Sequence, residues 1–427
     1  MPPISDHPLR YQLANELHAR PFPTLPATGR AVFIAIKQPD EAPSRDRQAD
    51  LDHLIALLDR HGADHPKPGA THWFGQIGKH RMKWESHTEF VTYTAFLDGP
   101  GERPFDPDDF AVFPSDWLEA APGQRITSVM VRVENRPETE AEITARLADW
   151  FVSESVAISH VVDDAAVVAG DFRIDPAGHL RFAVFPSEDT GRRRVGRIVQ
   201  RLLEIETYKT MSMLGFQRVQ SLGPRMHEID TELGRLMSGL TEEGGSAEDT
   251  LKALLTVSAE LESLSAQSAF RFGATAAYEA IVTQRIEVLR EERFAGRQTF
   301  AEFMMRRFDP AIRTVKHTER RLQTMADRAM RAGDLLRTRV DVARSAQNQA
   351  LLESMDRRAD LQLRLQKTVE GFSVVAISYY AVSLGGYLLY PLADAIGVSK
   401  GTVTAAITLP VVAVVFVAVR RMRGKIG

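Results

Sequence analysis

Two uncharged stretches near the C-terminal end constrain this chain more than any other feature. GFSVVAISYYAVSLGGYLLYPL runs from Gly371 to Leu392, and GTVTAAITLPVVAVVFVAV runs from Gly401 to Val419. A helix of about 20 apolar residues crosses a hydrocarbon layer roughly 30 Å thick, so each stretch is long enough to span. Asp394 and Lys400 are the only charges between them. Arg357, Arg358, Arg364 and Lys367 precede the first stretch, and Arg420, Arg421, Arg423 and Lys425 follow the second. Basic flanks on both outer ends and a weakly charged loop predict a transmembrane helical hairpin with both ends on the cytoplasmic side. The N-terminal MPPISDHPLRYQ has no apolar core of a signal peptide, so the residues before Gly371 are expected to face the cytoplasm as well.

The first stretch is not uniformly apolar. Ser378, Ala381 and Gly385 put small groups on one helical face, which permits close approach of a second helix. Ser383 and Tyr387 add hydroxyls that need partners or water inside a bilayer. This face is expected to be an oligomer packing surface or a pore lining. Neither stretch contains an acidic residue, so a proton relay or a carboxylate cation site within the bilayer is not expected. Pro410 is expected to kink the second span.

The helix that feeds the hairpin starts much earlier. Asp309-Pro310 is a helix-start pair, and no proline follows until Pro391. A helix over 309–392 would be about 125 Å long at 1.5 Å per residue, with a stalk over 309–370 of about 90 Å. Leu336, Val340, Ala343, Leu351, Met355, Leu365 and Val369 fall near one face, interrupted by Gln347, Arg358 and Gln362. An interrupted seam of this kind predicts coiled-coil packing against sister stalks.

Composition divides the remainder. Of 22 prolines, 18 lie at or before Pro186, and all four tryptophans lie in the first 150 residues. Proline punctuates turns, so the first part reads as turn-rich and the rest as long helices. Arg30–Ile36, Thr71–Gln76, Arg81–Phe96, Ile126–Val133, Val156–Val162, Ala165–Ile174 and His179–Phe185 read as strands. Residues 7–20, 45–61 and 138–151 read as amphipathic helices. The interleaving predicts an α+β domain, a mixed sheet with flanking helices, over 1–187. A helical region over 188–308, the stalk, and the hairpin over 371–427 follow. Thr190 is expected to cap a helix that Gly223-Pro224 breaks or kinks. That helix begins RRRVGR, with arginines at 192, 193, 194, 197 and 201, read as a solvated first turn with a phosphate or lipid site as the alternative.

Net charge is −3, which gives no general attraction to nucleic acid, and none is expected as a partner. The chain has no cysteine, which excludes disulfides and thiolate metal sites. No Gly-rich phosphate loop, HExxH or G-x-S-x-G element occurs. The densest polar constellation is KWESHTEF, Lys83 to Phe90. Read as one strand, it places Lys83, Glu85, His87, Glu89 and Tyr93 on one face and Trp84, Ser86, Thr88, Phe90 and Phe96 on the other. If the helix bearing His18 and Arg20 covers the first face, His18, Arg20, Glu85, His87 and Glu89 form a small polar cleft. A half-exposed strand with cross-strand charge pairs is the plain reading. A divalent cation or anion site is the second, and general acid–base chemistry the third.

NELHARPFP at 15–23, KWESHTEFVTYT at 83–94 and LQLRLQKTVEGFSVVAISYY at 361–380 together resemble a family of bacterial proteins of unknown function, predicted to be membrane-anchored. The resemblance implies a membrane location and supplies no catalytic residues; a bacterial inner membrane, with both termini cytoplasmic, is the expected location. The order of soluble domain, helical hairpin, long helix and two spans is also similar to the CorA-type magnesium channels. In those the first span ends in Gly-Met-Asn; here Gly386-Tyr387-Leu388-Leu389-Tyr390-Pro391 stands in its place, and no Gly-Met-Asn occurs. The leading expectation is a membrane-anchored oligomer whose cytoplasmic domain binds or senses a ligand. A CorA-like channel with an altered filter and a membrane-tethered enzyme are the alternatives.

Overall fold

A computed structural model describes residues 4–16, 22–39, 44–238 and 246–426. The chain divides into two compact units, residues 1–241 with 252–332, and residues 242–251 with 333–427. His18 and Arg20 lie outside the described residues.

The first unit is built on a nine-stranded mixed sheet with helices on both faces. Its strands are β1 (Gly29–Lys37), β2 (His72–Ile77), β3 (His80–Ser86), β4 (Phe90–Asp98), β5 (Gln124–Val133), β6 (Ala157–Val161), β7 (Ala166–Gly170), β8 (Leu180–Pro186) and β9 (Glu292–Arg293). They lie in the order β2-β3-β4-β1-β5-β8-β7-β6-β9. Among the described residues, β5 and β8 form the only parallel pair. The helices are α1 (Arg10–Glu16), α2 (Arg47–Arg60), α3 (Ser115–Glu119), α4 (Glu140–Trp150), α5 (Arg192–Ser238), α6 (Ala247–Glu287), α7 (Phe300–Arg307), α8 (Asp309–Ile396) and α9 (Lys400–Ile426).

β1 shows why both faces must be covered. Its run AVFIAI has no polar residue, and successive side chains point to opposite faces. Ala31, Phe33 and Ala35 join a core with Val195, Ile198, Val199 and Leu202 of α5. Val32, Ile34 and Ile36 join another with Leu54, Leu57 and Leu58 of α2 and Trp117 of α3. A third cluster packs Ile143 and Leu147 of α4 on Met130, Val167 and Phe185. Asp46 caps α2 by accepting from the backbone N–H groups of Gln48 and Ala49.

Three sequence expectations change. Lys83–Phe90 is not one strand: β3 ends at Ser86, residues 87–89 turn, and β4 returns with Lys83 opposite Thr94 and Glu85 opposite Thr92. Thr190 does not cap α5: the helix begins at Arg192, which leaves Gly191 at the cap position, and the Thr190 hydroxyl donates instead to the Ala165 carbonyl at 2.7 Å. Pro224 does not end α5, which runs to Ser238. One lost intrahelical bond at Pro224 is outweighed by burial of Leu222, Met226, Ile229 and Leu233 along the same helix.

In the second unit α8 ends at Ile396, and Gly397 follows with a φ of +78° that suits glycine. Ser399 then accepts from the Thr402 N–H at the start of α9. Among the described residues, two helices are long and apolar enough to cross a membrane, within Asp309–Leu392 and within Lys400–Arg421. Only 11 % of the most apolar window of the first, and none of the second, is buried, whereas a soluble core helix would be mostly buried.

Candidate functional site

The hairpin at β3–β4 presents one face to α5. Lys83 and Glu85 on β3 share that face with Phe90, Thr92, Thr94 and Phe96 on β4, while Trp84 and Tyr93 turn to the other core. The regrouping follows from the turn: a strand that reverses at 87–89 restarts its alternation on the partner strand. Between this face and α5 lies a cavity of ≈ 30 Å³, also lined by His87 and by Gln200, Glu204 and Tyr208 of α5. Since about 10–15 Å³ on this measure holds one water, it admits about two waters or one small functional group. Phe33, Leu203 and Pro23 complete the wall.

Backbone contact closes one side. An added Cβ at Gly196 would stand 1.8 Å from the Pro23 carbonyl oxygen, so only glycine lets the N-terminal segment lie on α5 here. The Leu25 N–H donates to the Arg192 carbonyl at 3.1 Å and fixes the same segment.

Lys83 is the centre of the cavity's electrostatics. The residue is 5 % exposed, and its Nζ lies 3.0 Å from Glu85 Oε1. That separation makes an ion pair without hydrogen-bond alignment, and Nζ has no hydrogen-bond partner among the described residues. Gln200 Nε2 donates to Glu204 at 2.8 Å, while its buried Oε1 has no partner among them. A buried donor and a buried acceptor left over in one cavity are costly unless something bridges them. Glu204 is itself held by Arg285.

His87 is fixed from several sides. Arg45 holds the hairpin turn, donating from Nη1 to the His87 carbonyl and from Nη2 to Ser86 Oγ at 3.3 Å. Arg45 is buried and paired with buried Asp50, with Nε 2.7 Å from Oδ2. The His87 ring stacks on Phe90, with centroids 4.4 Å apart, and its Nδ1 lies 3.4 Å from the Tyr208 hydroxyl. The arrangement can hold a ligand's polar group between Lys83 and Gln200, with His87 and Tyr208 also lining the cavity.

Of the residues singled out from sequence, Glu85 and His87 meet in this cleft. Glu89 does not: it is 2 % exposed and binds Arg271 and the Tyr278 hydroxyl, the latter at 2.8 Å. Burial, reinforced by the Glu89 charge, pushes the Tyr278 phenol well above its ordinary pKa. No group of three or more His, Asp or Glu residues suited to a metal ion occurs among the described residues. Gln200 and Tyr208 were missed, although Gln200, Glu204, Thr207 and Tyr208 form a stripe at helical spacing beside the apolar face of α5.

In the second unit Ser378 is 4 % exposed and its hydroxyl has no partner among the described residues. Ser378 and Ser383 line a groove with Thr404, Thr408 and Val412 of α9. The Cβ position at Gly385 lies 3.6 Å from Ile407, Ala381 is half-buried, and Tyr387 is 73 % exposed. The small-residue side of this helix therefore meets α9 of the same chain, with Tyr390 bonded to Thr404 at 2.9 Å.

A family model described as a protein of unknown function (DUF3422) matches residues 5–426. No curated protein matches the chain, and no solved structure does.

Proposed function

The chain belongs to the DUF3422 family, and from that premise we propose that it is a membrane-anchored binding protein. α8 and α9 hold it in a bilayer, and the sheet domain takes the polar end of a small ligand between Lys83 and Gln200. The observation that carries the binding role is the pair of buried polar atoms, Lys83 Nζ and Gln200 Oε1, that have no hydrogen-bond partner among the described residues and line one cavity. A group that both accepts and donates, a hydroxyl or an amide, satisfies the two together. The phenylalanines of the wall lower the local dielectric and so strengthen each bond. The anchor rests on the apolar side chains of α8 and α9 that remain exposed, such as Leu388 at 76 % and Leu409 at 79 %. Basic residues beyond both spans favour termini on the cytoplasmic side.

Full-length protein purified in detergent and analysed by native mass spectrometry tests the binding role. A co-purifying small molecule present on wild type and absent from Lys83→Met supports it. Wild type that carries nothing, or the same molecule on both, rejects it. Alkaline-carbonate extraction of membranes tests the anchor, which predicts retention in the pellet.

A further inference from the structure

A second cavity in the first unit, of ≈ 560 Å³, lies where the end of β1 and the start of β5 meet α5 and α6. Lys37, Arg125, Arg218 and Arg271 line it, together with Ile126 and Leu214, and no acidic side chain does so among the described residues. The chain as a whole carries a net charge of −3, so four cations around one cavity are not a reflection of general basicity.

The backbone builds this concentration. The β1–β5 register shifts between Ala35 and Ile36, which sets Ile36 opposite Arg125 and Lys37 opposite Gln124. Gly123 admits the close approach, since a Cβ there would stand 2.5 Å from the Lys37 carbonyl oxygen. Arg271 is compensated by Glu89. Arg218 is not: it is half-buried, and its bonds go to neutral groups, Ser268 Oγ at 3.1 Å and Gln267 Oε1 at 3.5 Å. No carboxylate lies within ion-pair distance of Arg125 or Arg218 among the described residues. A half-buried guanidinium is costly without a counter-charge. Guanidinium forks match phosphate oxygens two at a time, and a cavity of one sign concentrates anions.

We propose that this cavity binds an organic phosphate, with Arg218 and Arg125 gripping the phosphoryl oxygens and Ile126 and Leu214 contacting the organic part. It shares no lining residue with the Lys83 cleft and stands independently of the function proposed for that cleft. The phosphate can belong to a soluble molecule or to a lipid headgroup.

Isothermal titration of the full chain in detergent with inorganic pyrophosphate and with ADP, both in EDTA, probes the soluble source. Flotation with vesicles containing phosphatidic acid probes the lipid source. The expected result is binding in one arm that weakens at least about tenfold in Arg218→Ala. Arg125→Glu should weaken it too, and Lys83→Met should leave it unchanged. Arg125 is exposed, so its variant tests the site even if Arg218→Ala unfolds the domain. Binding in neither arm, or binding that survives Arg125→Glu, overturns the proposal.

Discussion

β1 and α9 are made from the same kinds of residue and meet opposite surroundings. AVFIAI in β1 is buried on both faces by α2 and α5. VVAVVFVAV in α9 is largely exposed, with Val414 at 68 % and Phe416 at 52 %. Their handling of polarity differs as well. The sheet domain buries charges in pairs, Arg45 with Asp50, Lys83 with Glu85 and Arg271 with Glu89. The two apolar stretches, 371–392 and 401–419, hold no charge, and where their hydroxyls are satisfied they bond within the helices themselves, Ser373 to the Val369 carbonyl, Thr408 to that of Thr404 and Tyr390 to Thr404. Protein surrounds the first region and can supply counter-charges. A bilayer cannot, so a helix placed there must satisfy itself.

A charge introduced into each region separates the two kinds of apolar surface. Val32 is fully buried in β1, and Val32→Asp should cost more than about 4 kcal/mol and unfold the sheet domain. Leu409→Arg, near the middle of the second span, should leave the melting of that domain unchanged. It should instead oppose insertion by about 2.5–3.5 kcal/mol. Circular dichroism reads the first effect and membrane fractionation the second. If Leu409→Arg melts the sheet domain and leaves fractionation untouched, the hairpin is not a membrane element.

Breaking a buried pair should cost nearly as much as inserting a charge. Glu89→Ala leaves the Arg271 guanidinium, whose side chain is 11 % exposed, without its counter-ion. The expected loss is about 3–5 kcal/mol by chemical denaturation, because the surviving charge stays buried. Removing both partners, Glu89→Gln with Arg271→Met, should recover part of it. A single variant as stable as wild type would show that water reaches Arg271.

What could be seen from sequence follows the range of the interactions involved. The hairpin and the sheet with flanking helices were legible because continuous apolar runs and proline placement are local signals. The turn at 87–89 was not. It contains neither glycine nor proline, and it is held by Arg45, 42 residues earlier, through the His87 carbonyl. Misplacing that turn put Glu89 and Tyr93 on the wrong face and hid the pairing of Lys83 with Thr94. β9 was invisible for a similar reason. Two residues, Glu292 and Arg293, gain strand geometry only by pairing with β6 more than 130 positions earlier. Nor does Gln200 stand out until α5 is laid on the sheet.

The contact that closes the cleft offers a smaller test. Gly196→Ala drives a methyl group into the Pro23 backbone, which can move only by displacing the whole N-terminal segment. The expected loss is about 1–3 kcal/mol, as for an overpacked core position. Lys83, 5 % exposed in the native protein, should then react faster with a small acylating reagent, read by peptide mass spectrometry. An unchanged labelling rate in a folded variant would mean that the Pro23 segment does not guard the cleft.

The smallest effect concerns protons, and again divides the two regions. His53 lies inside the sheet domain, stacked on Trp117 with centroids 3.9 Å apart. Its Nε2–H donates to the Trp117 carbonyl at 2.9 Å, so Nδ1 is the acceptor for the Tyr93 hydroxyl at 3.0 Å. Burial lowers its pKa below the ordinary 6.5, against the carbonyl bond and the nearby Asp50 charge, which raise it. The unfolded chain therefore takes up a proton at this position before the folded one does. Stability is intact above about pH 6.5 and falls as the pH drops toward the lowered folded value. Burial lowers the pKa of His179 too, so it contributes a loss of the same sign. Melting midpoints followed from pH 8 to pH 5 should fall for wild type and fall less steeply for His53→Gln, whatever its starting stability. The spans contain no histidine or carboxylate, so insertion in the membrane should not change over the same range. Equal slopes in wild type and His53→Gln would place the proton uptake elsewhere in the sheet domain.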